Sequence, residues 1–427
     1  MYILYSFLLF LGFLFYAPAY LFKIRKGDQG GLNLSDRLGL KLSLRTSVRP
    51  CLWIHAVSVG EVLSLRYILR EIKKEHPEWE IHCSTVTSTG YRVARAKLAE
   101  ATSIFFIPLD FAWTVKRFFK ALHPDLFILV ESEFWPNLLR ISGENASAVL
   151  LINGRISDRS FRKYQLLMPL LRRVLRPIDR CLVQTERDRE RLLALGVRPE
   201  KMEVVGNLKT DVNLPELEPE DLAGLRREVG LSSGKKLIVA GSTHRGEEEI
   251  LLRAYCASRK KRENLSLIIA PRHTQRADEV EKLAAGWGLS VTRRTKAGPG
   301  TTWDVLILDT LGELAHFYAI SDIAFVGGSL VPKGGQNLLE PAFYGKPVVF
   351  GPSMQNFASL AEEFVRQGAA RRVSGLEDLT EVLLLKEEIA LQEMGKKAKC
   401  LLTSLQGATQ KTLRVIESLM PASSSLR

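Results

Sequence analysis

At 427 residues, 46% hydrophobic and 25% charged, the chain is long enough for two globular domains and too apolar to be a disordered protein. Its net charge of +13 suits an anionic partner. No aromatic-interleaved basic strand, zinc-finger spacing or long basic tail accompanies that charge, so no nucleic acid is expected as partner.

Tyr2 to Phe22 is uncharged and almost wholly apolar, broken by Pro18. Roughly 20 apolar residues span a bilayer, so residues 1–22 predict a single N-terminal membrane anchor. Lys23, Arg25, Lys26, Arg37, Lys41 and Arg45 follow, which places the catalytic body on the cytoplasmic side. A cleaved signal peptide is the competing reading, but no positive charge precedes the apolar run. Pro18 leaves open whether the segment spans the bilayer or dips into one leaflet. Cys51, Cys83, Cys181, Cys256 and Cys400 are odd in number and scattered. They read as reduced and buried in a cytoplasmic body, not as a disulfide or zinc framework.

Beyond the anchor the chain alternates. Leu52–Val57 reads as a buried strand, Glu61–Lys74 as a helix, Ile81–Val86 as a strand, with a helix from about Tyr91. Ile104–Ile107, Leu126–Val130, Ala148–Ile152 and Cys181–Gln184 continue the strands. Such alternation predicts a parallel sheet covered on both faces. The stretch from Asp211 to Asp221 is acidic, carries two prolines and reads as a linker. Strands resume at Leu237–Ala240, Leu267–Ala270, Val305–Leu308, Ile323–Val326 and Pro347–Phe350, and helical periodicity dominates from Leu376. The prediction is therefore two doubly wound α/β domains, 23–211 and 235–400, joined by a linker at 212–234, with a cleft between them.

In open parallel sheets ligands bind beyond the carboxyl ends of the strands. The first strand ends in Ser58-Val59-Gly60-Glu61, where Glu61 either complements the helix dipole or serves as a general base. Glu131 and Glu133, two apart after the fourth strand, share one face in extended chain. One of them satisfies an arginine or backbone amides, or an acid there is buried with a raised pKa. Lys209, after a glycine turn, is either solvated or neutralises an anion. In the second domain Ser242, Thr243 and His244 follow a strand, and small hydroxyls there cap a helix or donate to an anion. Arg272 after Pro271 is a phosphate clamp in waiting. Gly334, Gly335, Asn337 and Glu340 precede a short helix, and the Asn337–Glu340 spacing is that of a capping box. No G-x-G-x-x-G follows the first strand of either domain, and there is no P-loop, which speaks against a dinucleotide oxidoreductase. No Asp-x-Asp pair follows a strand and no His-carboxylate cluster has ligand spacing, so no metal is expected.

Taken in order, these motifs resemble the 3-deoxy-D-manno-octulosonic acid (Kdo) transferases of Gram-negative bacteria. The resemblance runs nearly end to end. It includes the anchor, His55–Glu61, Glu131–Asn137, Asn153-Gly-Arg155, Gly206–Lys209, Gly241–His244 with Gly246-Glu247, Pro271–His273, Gly312-Glu313, Phe325–Ser329 and Asn337–Glu340. It implies a GT-B fold of two Rossmann-like halves, the first binding acceptor and the second donor, with a C-terminal helix, 401–427, returning to the first half. It further implies transfer of Kdo from CMP-Kdo to a lipid A precursor, lipid IVA, with inversion, no metal and no cofactor. Glu61 would then be the general base, and Glu131 and Lys209 would stabilise the transition state. Pro271, Arg272, Leu311, Gly312, Glu313, Asn337, Leu338, Leu339 and Glu340 would line the CMP site. Glu340 is expected on the ribose hydroxyls, and backbone N–H groups near Gly334 and Gly335 on anionic oxygens. Ser242, Thr243 and His244 are further donor-loop candidates. One departure stands out: many relatives carry Gly-Glu-Arg where this chain has Ser35-Asp36-Arg37.

The same reading places the enzyme at the inner membrane, touching its phospholipids. Arg155, Arg159, Arg162, Lys163 and the run Leu166–Arg173 make a basic, apolar patch, either a membrane dock or an ordinary amphipathic helix. Two alternatives stand beside this one: a GT-B transferase using a UDP-sugar and another lipid, and a membrane-tethered binding protein with a degenerate cleft. Retention of Glu61 argues against the second.

Overall fold

The structure, a computed structural model, describes residues 2–25, 34–40, 49–146, 148–384 and 388–421, with side chains described outside 16–25. Two units emerge. The first comprises Met1–Asp211 with Gln406–Arg427, and the second Val212–Leu405.

The first unit is built on β1 (Cys51–His55), β2 (Glu80–Thr85), β3 (Ser103–Phe106), β4 (Leu126–Val130), β5 (Ala148–Gly154), β6 (Arg180–Val183) and β7 (Met202–Val204). They form one parallel sheet in the order β3-β2-β1-β4-β5-β6-β7. Every residue of β1 and β4 is buried, because helices cover both faces. Leu52 and Ile54 feed one core with Val62, Leu65 and Leu69 of the Val59–Glu75 helix. Trp53 points the other way, among Phe118, Phe119 and Phe127, and its indole N–H finds Ser84 Oγ at 2.8 Å. The second unit repeats the plan with β8 (Lys236–Thr243), β9 (Leu265–Pro271), β10 (Val291–Arg293), β11 (Val305–Ile307), β12 (Ile323–Val326), β13 (Val348–Phe350) and β14 (Ala370–Arg372). Their order is β10-β11-β9-β8-β12-β13-β14, again parallel.

Three strands were not foreseen: β7, β10 and β14. Each spans three residues in a partly polar stretch at the margin of its sheet, where burial on both faces is not required. Within the expected linker a helix forms at Pro219–Glu228, started by Pro219 and a Glu218–Asp221 capping box. Its Leu222 and Leu225 pack on Val229, Leu237 and Trp303 of the second unit. The chain leaves that unit through the Glu388–Leu405 helix. The Ala408–Leu419 helix then buries Ala408, Leu413 and Ile416 in the core of the first unit. Asp211 receives the Gly407 N–H at 2.7 Å and that of Thr409, satisfying the start of this last helix.

The apolar N-terminus is a helix, Tyr2–Arg25. Its described part lies along the first unit. Tyr5 donates to Asp110 at 2.9 Å, Asn137 donates to Ser6 Oγ at 3.0 Å, and Phe13 meets Phe111 edge-on at 5.9 Å. Ile3, Leu4, Phe7, Leu8, Phe10, Leu14 and Phe15 are exposed. A spanning anchor is not supported: among the described residues no helix is long and apolar enough to cross a membrane. The flanking Lys26, Lys41 and Arg45, and the side chains of Pro18, Lys23 and Arg25, lie outside the described residues. The cysteines are thiols as expected, yet only Cys51, Cys83 and Cys181 are buried; Cys256 is half-buried and Cys400 exposed, because both lie on helices outside the sheets.

Candidate active site

In the first unit the turn after β1 places Glu61 in the opening turn of the Val59–Glu75 helix. Its carboxylate accepts the N–H groups of Val57 at 2.8 Å and Ser58 at 3.2 Å, while Ser58 Oγ accepts the N–H of Glu61 at 3.3 Å. Glu61 thus lies in the first helical turn, where it complements the dipole, and it also closes a capping box with Ser58 that fixes the side chain. Burial, at 5% exposure, pushes the carboxyl up to about 7; hydrogen bonds from the Val57 N–H and the Ser58 side chain oppose this, and the charges of Glu131 and Glu133 add to it.

Glu131 follows β4 in the left-handed region, at φ 63°. An unbranched acid held there costs backbone energy, and such outliers cluster at functional sites. Lys209 Nζ stands 3.5 Å from Glu131 Oε1. A Cβ on Gly60 would lie 3.6 Å from the same Nζ, so the ammonium sits over the turn that presents Glu61. The structure therefore brings Glu61, Glu131 and Lys209 together at the carboxyl end of one sheet. Two supporting residues lay in the sequence motifs: Asn153 without an assigned role, and Glu133 as one of the two acids open to burial with a raised pKa. Asn153, itself at φ 53°, accepts the Leu208 N–H at 3.1 Å and so sets the Lys209 turn. Glu133, whose carboxyl burial raises, donates its field to Glu61 and accepts from the Trp135 indole at 3.1 Å.

The second unit gathers its candidates at the carboxyl ends of β8, β9, β11 and β12. Ser242 is left-handed at φ 56°, and Gly327 presses on it so closely that a Cβ there would stand 2.4 Å from the Ser242 carbonyl oxygen. His244 Nε2 is 3.2 Å from Gln336 Nε2, and its ring meets that of His273 at 6.2 Å. Burial, and then the positive surroundings of His273 and Lys333, lower the His244 pKa. Arg272 is exposed, anchored through its own N–H to the Thr243 carbonyl at 2.9 Å. Asn337 Oδ1 accepts the Leu339 N–H and its amide donates to Glu340 Oε1, both at 3.1 Å. That arrangement replaces the capping box, since Leu338 occupies the N-cap of the Leu339–Phe343 helix. Burial raises the Glu340 carboxyl, with the Asn337 donor opposing.

Several donor candidates are placed differently from expectation. The Thr243 hydroxyl is buried and donates to Glu248 at 3.0 Å. The N–H groups of Gly334 and Gly335 are spent internally, on Ser353 Oγ at 3.1 Å and the Gly328 carbonyl at 2.9 Å. Leu338 and Leu339 are core side chains, because the short helix must cover β12 and β13. Pro271 is buried at the end of β9 and Leu311 and Gly312 form an exposed turn after the neighbouring β11, while Glu313 pairs with Arg294 at 3.0 Å and with Thr310. Glu247 was named in a motif without a role. It is fully buried and accepts N–H groups from His244 at 2.9, Gly328 at 2.6, Ser329 at 2.9 and Leu330 at 2.8 Å. It therefore locks the glycine turn after β12 onto the turn after β8. A Ser-Thr-His-x-Gly-Glu stretch at a strand end, with its acid one residue into the helix, was the available signal.

Residues 33–212 match the profile of the 3-deoxy-D-manno-octulosonic-acid transferase (kdotransferase) family. The 3-deoxy-D-manno-octulosonic acid transferase of Chlamydophila psittaci is 32% identical over 86% of this chain and 84% of its own length. The chain belongs to this family. The transferase of the same name from Haemophilus influenzae is 31% identical over 90% of both chains. A bifunctional glycosyltransferase/methyltransferase of Fusobacterium nucleatum is 36% identical over 78% of this chain, which spans about half of that longer relative, 52%. Among solved structures, the UDP-GlcNAc 2-epimerase of Neisseria meningitidis matches at a TM-score of 0.54, with 13% identity over 87% of this chain and 99% of that one. Such distant likeness carries the fold alone: two parallel-sheet α/β domains of the GT-B kind. As a member of the Kdo transferase family, the chain is a Kdo glycosyltransferase.

Proposed function

We propose that the protein transfers Kdo from CMP-Kdo to a hydroxyl of the lipid A precursor lipid IVA, in one inverting displacement. The observation that carries this reading is the buried Glu61 carboxyl, poised near 7 beside the Glu131–Lys209 pair. A base whose pKa lies near working pH takes a hydroxyl proton most effectively. As the acceptor oxygen bonds to the anomeric carbon, its proton passes to Glu61 and the carbon–oxygen bond to CMP breaks, the electron pair leaving with the phosphate. Lys209, held by Glu131, is the cation that offsets charge developing in the first unit. The second unit takes the nucleotide. Glu340 is assigned to the ribose hydroxyls, Arg272 to the phosphate, and the open Leu311-Gly312 turn to the base. The hydroxyl of Thr243 and the N–H groups of Gly334 and Gly335 are left out of this assignment because protein acceptors already use them.

We place the protein at the cytoplasmic face of the inner membrane, in contact with phospholipid. The exposed apolar side of the N-terminal helix supports this, as do Arg159, Arg162, Lys163 and Leu166 on the Asp158–Leu166 helix, which buries no residue. The test is mass spectrometry of products from CMP-Kdo and purified lipid IVA. A mass increment of one or more Kdo units is expected with the native chain, forming about 10²–10⁴-fold more slowly with Glu61→Gln. Tighter binding of UDP than of CMP would reject the nucleotide assignment.

A further inference from the structure

Arg172 and Arg176, on and just after the Met168–Leu175 helix, and Arg198 and Lys201, on the connection into β7, line a cavity of about 410 Å³. Among the described residues no carboxylate lines it. The cavity sits where the chain enters β6 and β7, whereas Glu61, Glu131 and Lys209 follow the opposite ends of their strands. A strand of four or five residues separates those edges by roughly 13–17 Å, so an occupant here does not touch the reacting groups.

Cations at the end of a helix complement its dipole, which accounts for Arg172 and Arg176. It does not account for Arg198 and Lys201, which arrive from a separate segment. Lys201 is pinned by donating to the Ile178 and Arg176 carbonyls, and Arg198 meets Glu200 at 3.3 Å in solvent. Arg172 and Arg176 have no acidic partner among the described residues. Gly196, at φ 96°, makes room for the first of them: a Cβ there would stand 2.4 Å from Arg172 Cγ. Two unpaired guanidinium groups facing a concave surface match the oxygens of a phosphate, which each can grip in a two-pronged way.

We propose that this cavity binds a phosphate group, supplied by a phospholipid headgroup or by a small phosphorylated metabolite. The headgroup is the source the surroundings favour. The N-terminal helix starts beside the site, with the Tyr2 hydroxyl 3.4 Å from the Arg173 carbonyl oxygen and the Tyr2 ring 5.1 Å from the Arg140 guanidinium carbon. Ile3, Leu4 and Phe7 of that helix are exposed, and apolar surface bordering cations suits an anionic membrane interface. Only this choice of source rests on the membrane reading; the phosphate site depends on no step of the transfer reaction.

The full chain is titrated with inorganic phosphate by calorimetry, and separately sedimented with phosphatidylcholine vesicles with and without phosphatidylglycerol. The test variant is Arg172→Gln/Arg176→Gln. Its control, Lys116→Gln/Lys120→Gln, removes equal charge from a second basic cavity of the same unit that includes Glu144. Saturable phosphate binding is expected, weakened about tenfold or more in the test variant and unchanged in the control. Arg198→Gln, a single exposed substitution, lowers it in the same direction. A parallel, variant-specific loss of phosphatidylglycerol-dependent sedimentation identifies the headgroup; loss in the phosphate arm alone supports the site with a soluble occupant. Equal losses in test and control variants, or no saturable phosphate binding and no variant-specific loss on vesicles, overturn the proposal.

Discussion

Glu61 does two jobs with one carboxylate: it closes the first turn of a helix, and it sits where a proton must be taken. Glu61→Gln preserves the shape but not the basicity, so transfer falls about 10²–10⁴-fold while CMP affinity, measured by calorimetry, is unchanged. The active form is the carboxylate, so transfer rises with pH through about 7. Stability moves oppositely. An unfolded Glu61 loses its proton in the ordinary carboxylate range, near 4.5, whereas the folded one holds it to about 7. The folded state binds more protons between those values, and stability falls as pH rises across them. The glutamine variant lacks both trends. Because the negative charge of Glu133 helps raise Glu61, Glu133→Gln shifts the acidic limb of the rate profile to lower pH, as a pH series on the variant will read. Glu61, Glu131 and Lys209 stood out as charges at turns, but position alone left each open to an ordinary capping, ion-pair or solvated role; only the family resemblance singled them out. Glu133 as tuner of Glu61 was not recognisable, since its effect depends on a distance that residue spacing does not encode.

At the level of single elements, what was legible follows burial. β4 and β12 were read to the residue because both faces of a central parallel strand demand an apolar run. The margin strands β7, β10 and β14 carry Glu203, Thr292 and Arg371 within three residues and offer no such signal. The glycine turn after β12 illustrates a second blind spot. Its glycines were visible, but the acid that holds it, Glu247, lies some eighty positions earlier in the chain. Glu247→Ala strands four N–H groups, two of them buried, and is expected to cost about 2–4 kcal/mol in denaturant unfolding. Asp211→Ala removes the acceptor at the start of the Ala408–Leu419 helix and costs about 1–2 kcal/mol by the same assay.

Across the molecule, two sheets of like plan share one chain, and the strand–helix alternation made that visible from sequence. The N-terminal segment shows the limit of hydropathy. An all-apolar run looks alike whether lipid or protein covers it, and here Tyr5, Ser6 and Phe13 turn one side toward Asp110, Asn137 and Phe111. The second unit is continuous, whereas the first is closed only by the Ala408–Leu419 helix. Ending the chain after Leu405 therefore uncovers the core beneath Ala408, Leu413 and Ile416. Two-transition calorimetry should show a lowered first-unit transition and an unshifted second-unit transition. The order of synthesis gives this closure a further meaning. As a nascent chain emerges, the second unit has all its parts once Leu405 clears the ribosome, but the first, though made earlier, waits with a bare greasy flank for the last helix. The earlier-born half is thus the later to mature, and chaperones and proteases in the cell meet it in that interval.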